Sequence, residues 1–305
     1  MAQKSTQEQR LSYLVEAFKA DSGDYQDLRT PADTEGRQRL LRSLMNVRMP
    51  RPMAKEITLV QDEYLKERAE ERGIVRLDRI PSIVESLGSK RPFADTLSLW
   101  QGDITCLAVD AIVNAANSQM LGCFQPCHSC IDNCIHTYAG IQLRAECYQQ
   151  MQALRSRYGR NYEQPTAVPM LTDGYNLPAK KVVHIVGPIV YDRLTPDLEN
   201  DLADCYRNTL DLCVENGLRS VAFCSISTGV FRFPKERAAE IAVRAVTEWL
   251  AAHPGKMDRV IFNVFNDRDR CIYEQTCRQF VSYFITRGQF ARIVTKYAER
   301  RLFRR

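Results

Sequence analysis

Long apolar runs are missing from this sequence. No uninterrupted stretch of the 305 residues approaches the roughly 20 apolar residues that a bilayer-spanning helix requires. The opening Met1-Ala2-Gln3-Lys4-Ser5-Thr6-Gln7 leads into no apolar core of signal-peptide length. Neither a membrane anchor nor a secretory leader is therefore expected, and the setting read from the sequence is intracellular: the cytoplasm, with the mitochondrion as the alternative. Internal repeats and low-complexity tracts are absent as well, which excludes solenoid and fibrous architectures. Strong charge is also lacking: 42 Lys and Arg against 37 Asp and Glu leave a formal +5, too little to define a nucleic-acid binder by itself. The chain is 45% hydrophobic and 26% charged, an ordinary balance for one sizeable folded domain with an extension.

Histidine is scarce and cysteine abundant, four against eleven. Without a secretory leader, an odd and high cysteine count reads as reduced thiols, some of them on metal, rather than a disulfide framework. Basic residues accumulate at the end, in Arg287, Arg292, Lys296, Arg300, Arg301, Arg304 and Arg305. Such a tail reads first as a solvated helix face and second as a contact for nucleic acid or anionic lipid.

Apolar positions recur at helical spacing in Leu11, Leu14, Val15 and Phe18, then in Leu40, Leu41, Leu44, Met45 and Val47, before Pro50 and Pro52 break the run. A third helix is predicted over 54–72, with Gly73 as its stop. From Leu97 the pattern changes to short apolar, β-branched runs alternating with amphipathic helices, which predicts an α/β domain with a largely parallel sheet. Strands are predicted at 97–102, 108–114, 167–172, 182–186, 220–225 and 259–265. One helix starts at Thr195-Pro196, a capping hydroxyl before a proline at the first helical position, and stops at Gly217; another follows Pro234. Residues 1–95 thus form a helical extension, 96–287 the α/β domain, and 288–305 a basic helix or tail.

In such sheets ligands sit beyond the carboxyl ends of the strands, so the loops after Asn114 and Ser225 are where function is sought. The first runs from Asn114 to Asn133 and carries Cys123, Cys127, His128 and Cys130 within eight residues. Cys123, His128 and Cys130 have a spacing that one loop can wrap around a tetrahedral ion, and thiolate with imidazole favours Zn2+. Two other readings stay open: buried thiols with a hydrogen-bonded histidine, or a closed structural zinc with Cys127 or Cys134 as fourth ligand. Three protein ligands would leave a fourth position open, and Asp132 follows closely enough to orient or deprotonate a water there; its alternative is a helix cap. The second loop, Ser225-Ile226-Ser227-Thr228-Gly229-Val230-Phe231-Arg232-Phe233-Pro234, joins a buried strand to a helix start, which suits an anion. Asp103, in Gln101-Gly102-Asp103-Ile104-Thr105, could accept a hydrogen bond from an adenine amino group or merely stabilise a turn. His184 reads as a satisfied core histidine and His253 as a residue at a helix end.

Taken together, Gln101-Gly102-Asp103-Ile104-Thr105, Val109-Asp110-Ala111-Ile112-Val113-Asn114-Ala115-Ala116-Asn117 and Ile226-Ser227-Thr228-Gly229-Val230-Phe231 resemble the macrodomain family in order and spacing. The resemblance covers roughly 97–283. Hydrolytic macrodomains carry a run of glycines where this chain has Gly122-Cys123-Phe124-Gln125-Pro126-Cys127-His128-Ser129-Cys130, which is similar to the signature of the zinc-containing branch, as is the helical extension. The resemblance implies a three-layer α/β/α macrodomain with a mixed, largely parallel sheet, Zn2+ on Cys123, His128 and Cys130, and Cys127 and Cys134 as bystanders. It implies an ADP-ribose cleft in which Asp103 and the Ile104 backbone hold adenine, Ser227, Thr228, Gly229, Val230 and Phe231 cradle the diphosphate, and Phe265 stacks on adenine. Asn117 with the zinc would hold the distal ribose, and Asn114 would brace the loop.

The activity so implied is hydrolytic removal of mono-ADP-ribose from modified proteins, with Asp132 and Asn117 as the catalytic pair. A lipoyl-carrier protein is a candidate substrate by resemblance, and the chain is expected to act as a monomer. Two rivals are a non-catalytic ADP-ribose reader with a structural zinc, and a nucleic-acid binder. The second is weak, because the Cys/His loop completes no finger spacing and has no basic cluster around it.

Overall fold

The computed structural model describes residues 5–278; the basic tail expected at 288–305 lies outside the described residues. The chain opens with three helices. Helix α1 (Gln7–Asp21) is started by a reciprocal cap, in which the Thr6 hydroxyl accepts from Gln9 N and the Gln9 side chain accepts from Thr6 N. Helix α2 (Thr34–Val47) is capped by Asp33, and α3 (Lys55–Arg72) stops at Gly73, whose φ of +87° is cheap only for glycine. Leu11, Leu14, Val15 and Phe18 close on Leu41, Leu44, Met45, Tyr64 and Leu65, giving the extension a hydrophobic core of its own.

Then follow β1 (Val75–Arg76), α4 (Ile83–Leu87), β2 (Leu97–Gln101), β3 (Leu107–Ala108), β4 (Ala111–Ala116), α5 (Ile131–Ala139), α6 (Ile141–Tyr158), β5 (Met170–Asp173) and β6 (Lys181–Val186). The described chain ends with α7 (Pro196–Glu215), β7 (Ser220–Phe223), α8 (Lys235–Ala252), β8 (Arg259–Val264) and α9 (Asp267–Arg278). Six strands form one sheet in the order β2-β8-β7-β4-β6-β5, parallel throughout except β5, which runs antiparallel to β6. Strands β4, β6, β7 and β8 are buried along almost their whole length, as strands with helices on both faces must be.

Two departures from the sequence reading have local causes. The single strand expected at 108–114 is two: β3 pairs with β1 outside the main sheet, and β4 enters the sheet two residues later. Asp110 sits in the break, where its carboxylate accepts from Arg219 N, Ser220 N, Ser220 Oγ and Lys180 Nζ and fixes where β4 begins. The sequence pattern also reads as one helix from about Asp132 through Ile135, Tyr138, Leu143 and Cys147, but it is broken into α5 and α6 at Gly140, where φ is +94° and a Cβ would lie 2.7 Å from Gln61 Nε2 of the extension.

Candidate active site and metal centre

The carboxyl ends of β2, β4, β7 and β8 point to the same end of the sheet, and every loop singled out above leaves from there. The loop after β4 is held in an unusual path: Met120, Gly122 and Cys127 all have positive φ, at 59°, 80° and 52°. That path brings the sulfurs of Cys123 and Cys130 and a ring nitrogen of His128 within 4.8 Å of one another, with Cys123 Sγ 3.7 Å from His128 Nδ1. Burial, with Cys123 adding to it, pushes the Cys130 thiol up to about 12, and a cation beside that sulfur would favour its thiolate. Two thiolates and an imidazole at this spacing fit a tetrahedral zinc with one position left open. Cys127 turns away, its sulfur 3.2 Å from Ser43 Oγ, and Cys134 lies 3.5 Å from Arg42 Nη2; neither belongs to the trio.

The loop's scaffold comes from elsewhere in the chain. Arg42 of α2 donates to His128 O and Asn133 Oδ1, both at 2.8 Å, and Asn46 Oδ1 accepts from Cys127 N at 2.9 Å. Asn133, fully buried, donates to Cys123 O and Gln125 O. Arg144 of α6 donates to Leu121 O at 2.8 Å. Sequence reasoning found none of these four: Arg42, Asn46 and Arg144 act on backbone groups distant in sequence, and Asn133 binds carbonyls of its own loop, which no spacing pattern encodes.

Asp132 stands in the first turn of α5 and is 5% exposed. It is not the helix cap: Cys130 occupies that position, its sulfur accepting from Asn133 N at 3.4 Å. Asp132 Oδ1 accepts from Asn114 Nδ2 at 2.8 Å and Oδ2 from Asn117 Nδ2 at 3.3 Å. Burial raises its pKa to about 6 against the lowering effect of Asn114, Arg144 and Asn117. Asn117 also donates to Gly122 O at 3.2 Å, tying the carboxylate to the loop. Asn114 is fully buried behind Asp132 and so braces from within.

The remaining candidates line the same end of the sheet. In the loop after β7, Ser227 has φ +64°, is buried, and has an Oγ without a partner; Gly187 lies against it so closely that a Cβ would come within 2.1 Å of that Oγ. The amides of Gly229, Val230 and Phe231 have no hydrogen-bond acceptor among the described residues, and they precede the amino terminus of α8, an arrangement suited to an anion. Thr228 Oγ1 donates to Ser225 O. Asp103 accepts from Thr105 N and Thr105 Oγ1 through Oδ1 and from Arg72 Nη1, at 3.3 Å, through Oδ2, with Ile104 buried beside it. Phe265 stands 75% exposed just beyond β8, free to stack on a planar ligand. Its neighbours are otherwise engaged: Asn263 donates to Gly102 O and Asn266 caps α9. His253 stacks on Trp249 at the end of α8.

Residues 113–242 match the family model described as Macro domain. The chain is 45% identical over 270 residues to a Protein-ADP-ribose hydrolase of Treponema medium, covering 88% of this chain and 98% of that protein. It is 41% identical over 268 residues to a Protein-ADP-ribose hydrolase of Staphylococcus aureus (strain MRSA252), covering 87% of this chain and 94% of that protein. The crystal structure of the Trypanosoma brucei macrodomain in complex with ADP-ribose superposes with a TM-score of 0.58 at 28% identity, covering 77% of this chain and 94% of that one. The chain belongs to the macrodomain family.

Proposed function

We propose that this chain is a protein-ADP-ribose hydrolase that uses Zn2+ to cleave the bond between the distal ribose and a protein side chain. The relatives named for that activity match along nearly their whole length, which supports the activity over a binding-only role. The observation that carries the mechanism is the placement of Asp132: a buried carboxylate held on both oxygens by Asn114 and Asn117, two residues after the last member of the Cys123, His128 and Cys130 trio. Asp103 and Ile104 hold adenine, Phe265 stacks on it, and the amides of Ser227–Phe231 bind the diphosphate. Asn117 orients the distal ribose, and Asp132 Oδ2 takes the proton of the attacking water. When bound, Zn2+ supplies a Lewis-acid charge beside the distal ribose.

The acceptor protein is proposed to be a lipoyl-carrier protein, on the resemblance to the zinc-containing branch alone, and the enzyme to act as a monomer in the cytoplasm. No described helix is long and apolar enough to cross a membrane. Single-turnover release of ADP-ribose from modified proteins carrying acidic, serine or arginine linkages tests the reading. Asp132→Asn is expected to slow release by about 100-fold or more, in the range of a removed general base, with ADP-ribose affinity retained. Tight ADP-ribose binding with no release from any linkage would leave a reader instead.

A further inference from the structure

The core beneath the site holds two buried histidines that the mechanism does not use, and one of them connects to Asp132 through a single residue. Asn114 Nδ2 is the atom that reaches both Asp132 Oδ1, at 2.8 Å, and His184 Nδ1, at 3.0 Å. Its two hydrogens are therefore both committed, and His184 Nδ1 must be the acceptor of the second. The proton of the neutral ring then sits on Nε2, which lies 3.0 Å from Thr172 Oγ1 and 3.7 Å from Cys147 Sγ. Asn114 Oδ1 is buried without a partner. If the amide turned over, that oxygen would face a carboxylate, and the donor on Asp132 would be lost.

We propose that His184 is a positioning residue for the reaction: by presenting an unprotonated Nδ1, it fixes the direction of the Asn114 amide and so keeps a hydrogen-bond donor on Asp132. The inference rests on the role of Asp132 given above. Burial holds His184 down to about 3, so the ring stays neutral throughout the working range. With Oδ1 occupied from behind by Asn114, Oδ2 is the oxygen left towards Asn117 and the loop. Thr172, on the edge strand β5 and in neither sequence motif, completes the line by accepting the hydrogen bond from Nε2–H. His184 and Asp132 lie on β6 and α5, far apart in sequence, so only the fold links them.

The test has three arms on the full-length, zinc-loaded protein. In the unmodified protein, nitrogen-15 spectra of the histidine rings are expected to show His184 as the neutral Nε2–H tautomer; an Nδ1–H tautomer would overturn the proposal, because that proton would have to be donated to Asn114 Oδ1. His184→Leu is expected to lower the single-turnover rate about 10- to 100-fold, the cost of losing a residue that orients a functional group through one hydrogen bond, while ADP-ribose affinity changes less than threefold by calorimetry. His184→Asn, whose Oδ1 can stand where Nδ1 stood, is expected to recover most of the rate. An unchanged rate in His184→Leu, or equal losses in both variants with weakened ADP-ribose binding, overturns the proposal.

Should His184→Leu not fold, Thr172→Val is expected to lower the rate in the same direction and to shift the tautomer signal. The atoms of His136, Cys147 and His184 also lie within 4.8 Å of one another. A second metal ion per chain, lost in the His184 variants, would overturn the proposal in favour of a buried metal site. Full activity in Asp132→Asn would instead sink the mechanism on which the inference rests; loss in Asp132→Asn with none in His184→Leu would sink the inference alone.

Discussion

Arg144 joins the extension to the loop that carries the Cys123, His128 and Cys130 trio, and its removal is the most informative structural perturbation. Its side chain is 4% exposed. Nε donates to Leu121 O at 2.8 Å, while Nη1 lies 3.1, 2.9 and 2.6 Å from the carbonyl oxygens of Met45, Asn46 and Arg48. Those three carbonyls are at the carboxyl end of α2, where the helix dipole favours a cation. The guanidinium also lies 4.3 Å from the centre of the Phe124 ring. Burial lowers its pKa to about 10, so it remains charged at neutral pH. Hydrogen bonds from a charged donor contribute roughly 1.5–3 kcal/mol each. Nη1 has two hydrogens for three carbonyls, and desolvation of the ion offsets part of the gain, so Arg144→Met is expected to cost about 3–5 kcal/mol, the range for breaking a buried charged network. Urea unfolding at pH 7.5 measures it. Arg144→Lys, which keeps the charge and loses the fork, is expected to recover less than half. A loss below about 1 kcal/mol in Arg144→Met would mean that the network contributes nothing beyond packing.

Three further outcomes follow from the geometry. Gly187→Ala puts a Cβ 2.1 Å from Ser227 Oγ and 2.7 Å from Ile226 Cγ2. Calorimetry is expected to show ADP-ribose binding weakened about tenfold or more, or 1.4 kcal/mol; wild-type affinity would remove the Ser227 loop from the diphosphate site. Gly122→Ala combines φ +80° with a Cβ 2.8 Å from the His136 ring, so zinc content by elemental analysis is expected to fall below half an ion per chain (roughly) at equal folded protein; full occupancy would contradict the loop's role in shaping the trio. For pH, burial lowers His184 to about 3 and His136 well below its ordinary value of 6.5. The unfolded chain then binds more protons as pH falls below about 6.5, so both histidines take stability away as the pH is lowered through that value. Asp132, raised to about 6, acts in the opposite direction below that value and offsets under 1 kcal/mol at pH 5.5 (roughly). Unfolding free energies of the metal-free chain from urea titration are expected to drop between pH 7.5 and 5.5, the two histidines outweighing Asp132; a flat or rising profile would mean that the histidines are not held neutral.

The sheet was legible because buried parallel strands read as short apolar runs, and β4, β6, β7 and β8 lie where those runs lie. Thr195-Pro196 likewise declared the start of α7, where the Thr195 hydroxyl accepts from Leu198 N. What a linear reading misses is a break imposed from outside: Asp110 splits an apolar run because Arg219 and Ser220 claim its carboxylate, and Gly140 interrupts a helix because Gln61 packs against it. The same contrast divides the site. Cys123, His128, Cys130 and Asp132 could be named from sequence because one loop and one helix start carry them all. Arg42, Asn46 and Arg144 could not, since their partners lie 86, 81 and 23 residues away. His184 was recognisable as a satisfied core histidine, as its contacts with Asn114 and Thr172 show, but not as the residue standing behind Asp132.

The central claim is that the trio holds a metal ion beside an ADP-ribose cleft and that hydrolysis depends on it. Metal analysis and single-turnover release of ADP-ribose from a modified protein, made on the same preparation before chelation, after chelation and after Zn2+ is restored, test this together. The account predicts one zinc per chain, loss of release on chelation, recovery with Zn2+, and neither zinc nor release in Cys123→Ala. A metal-free preparation that releases ADP-ribose at the full rate would contradict it.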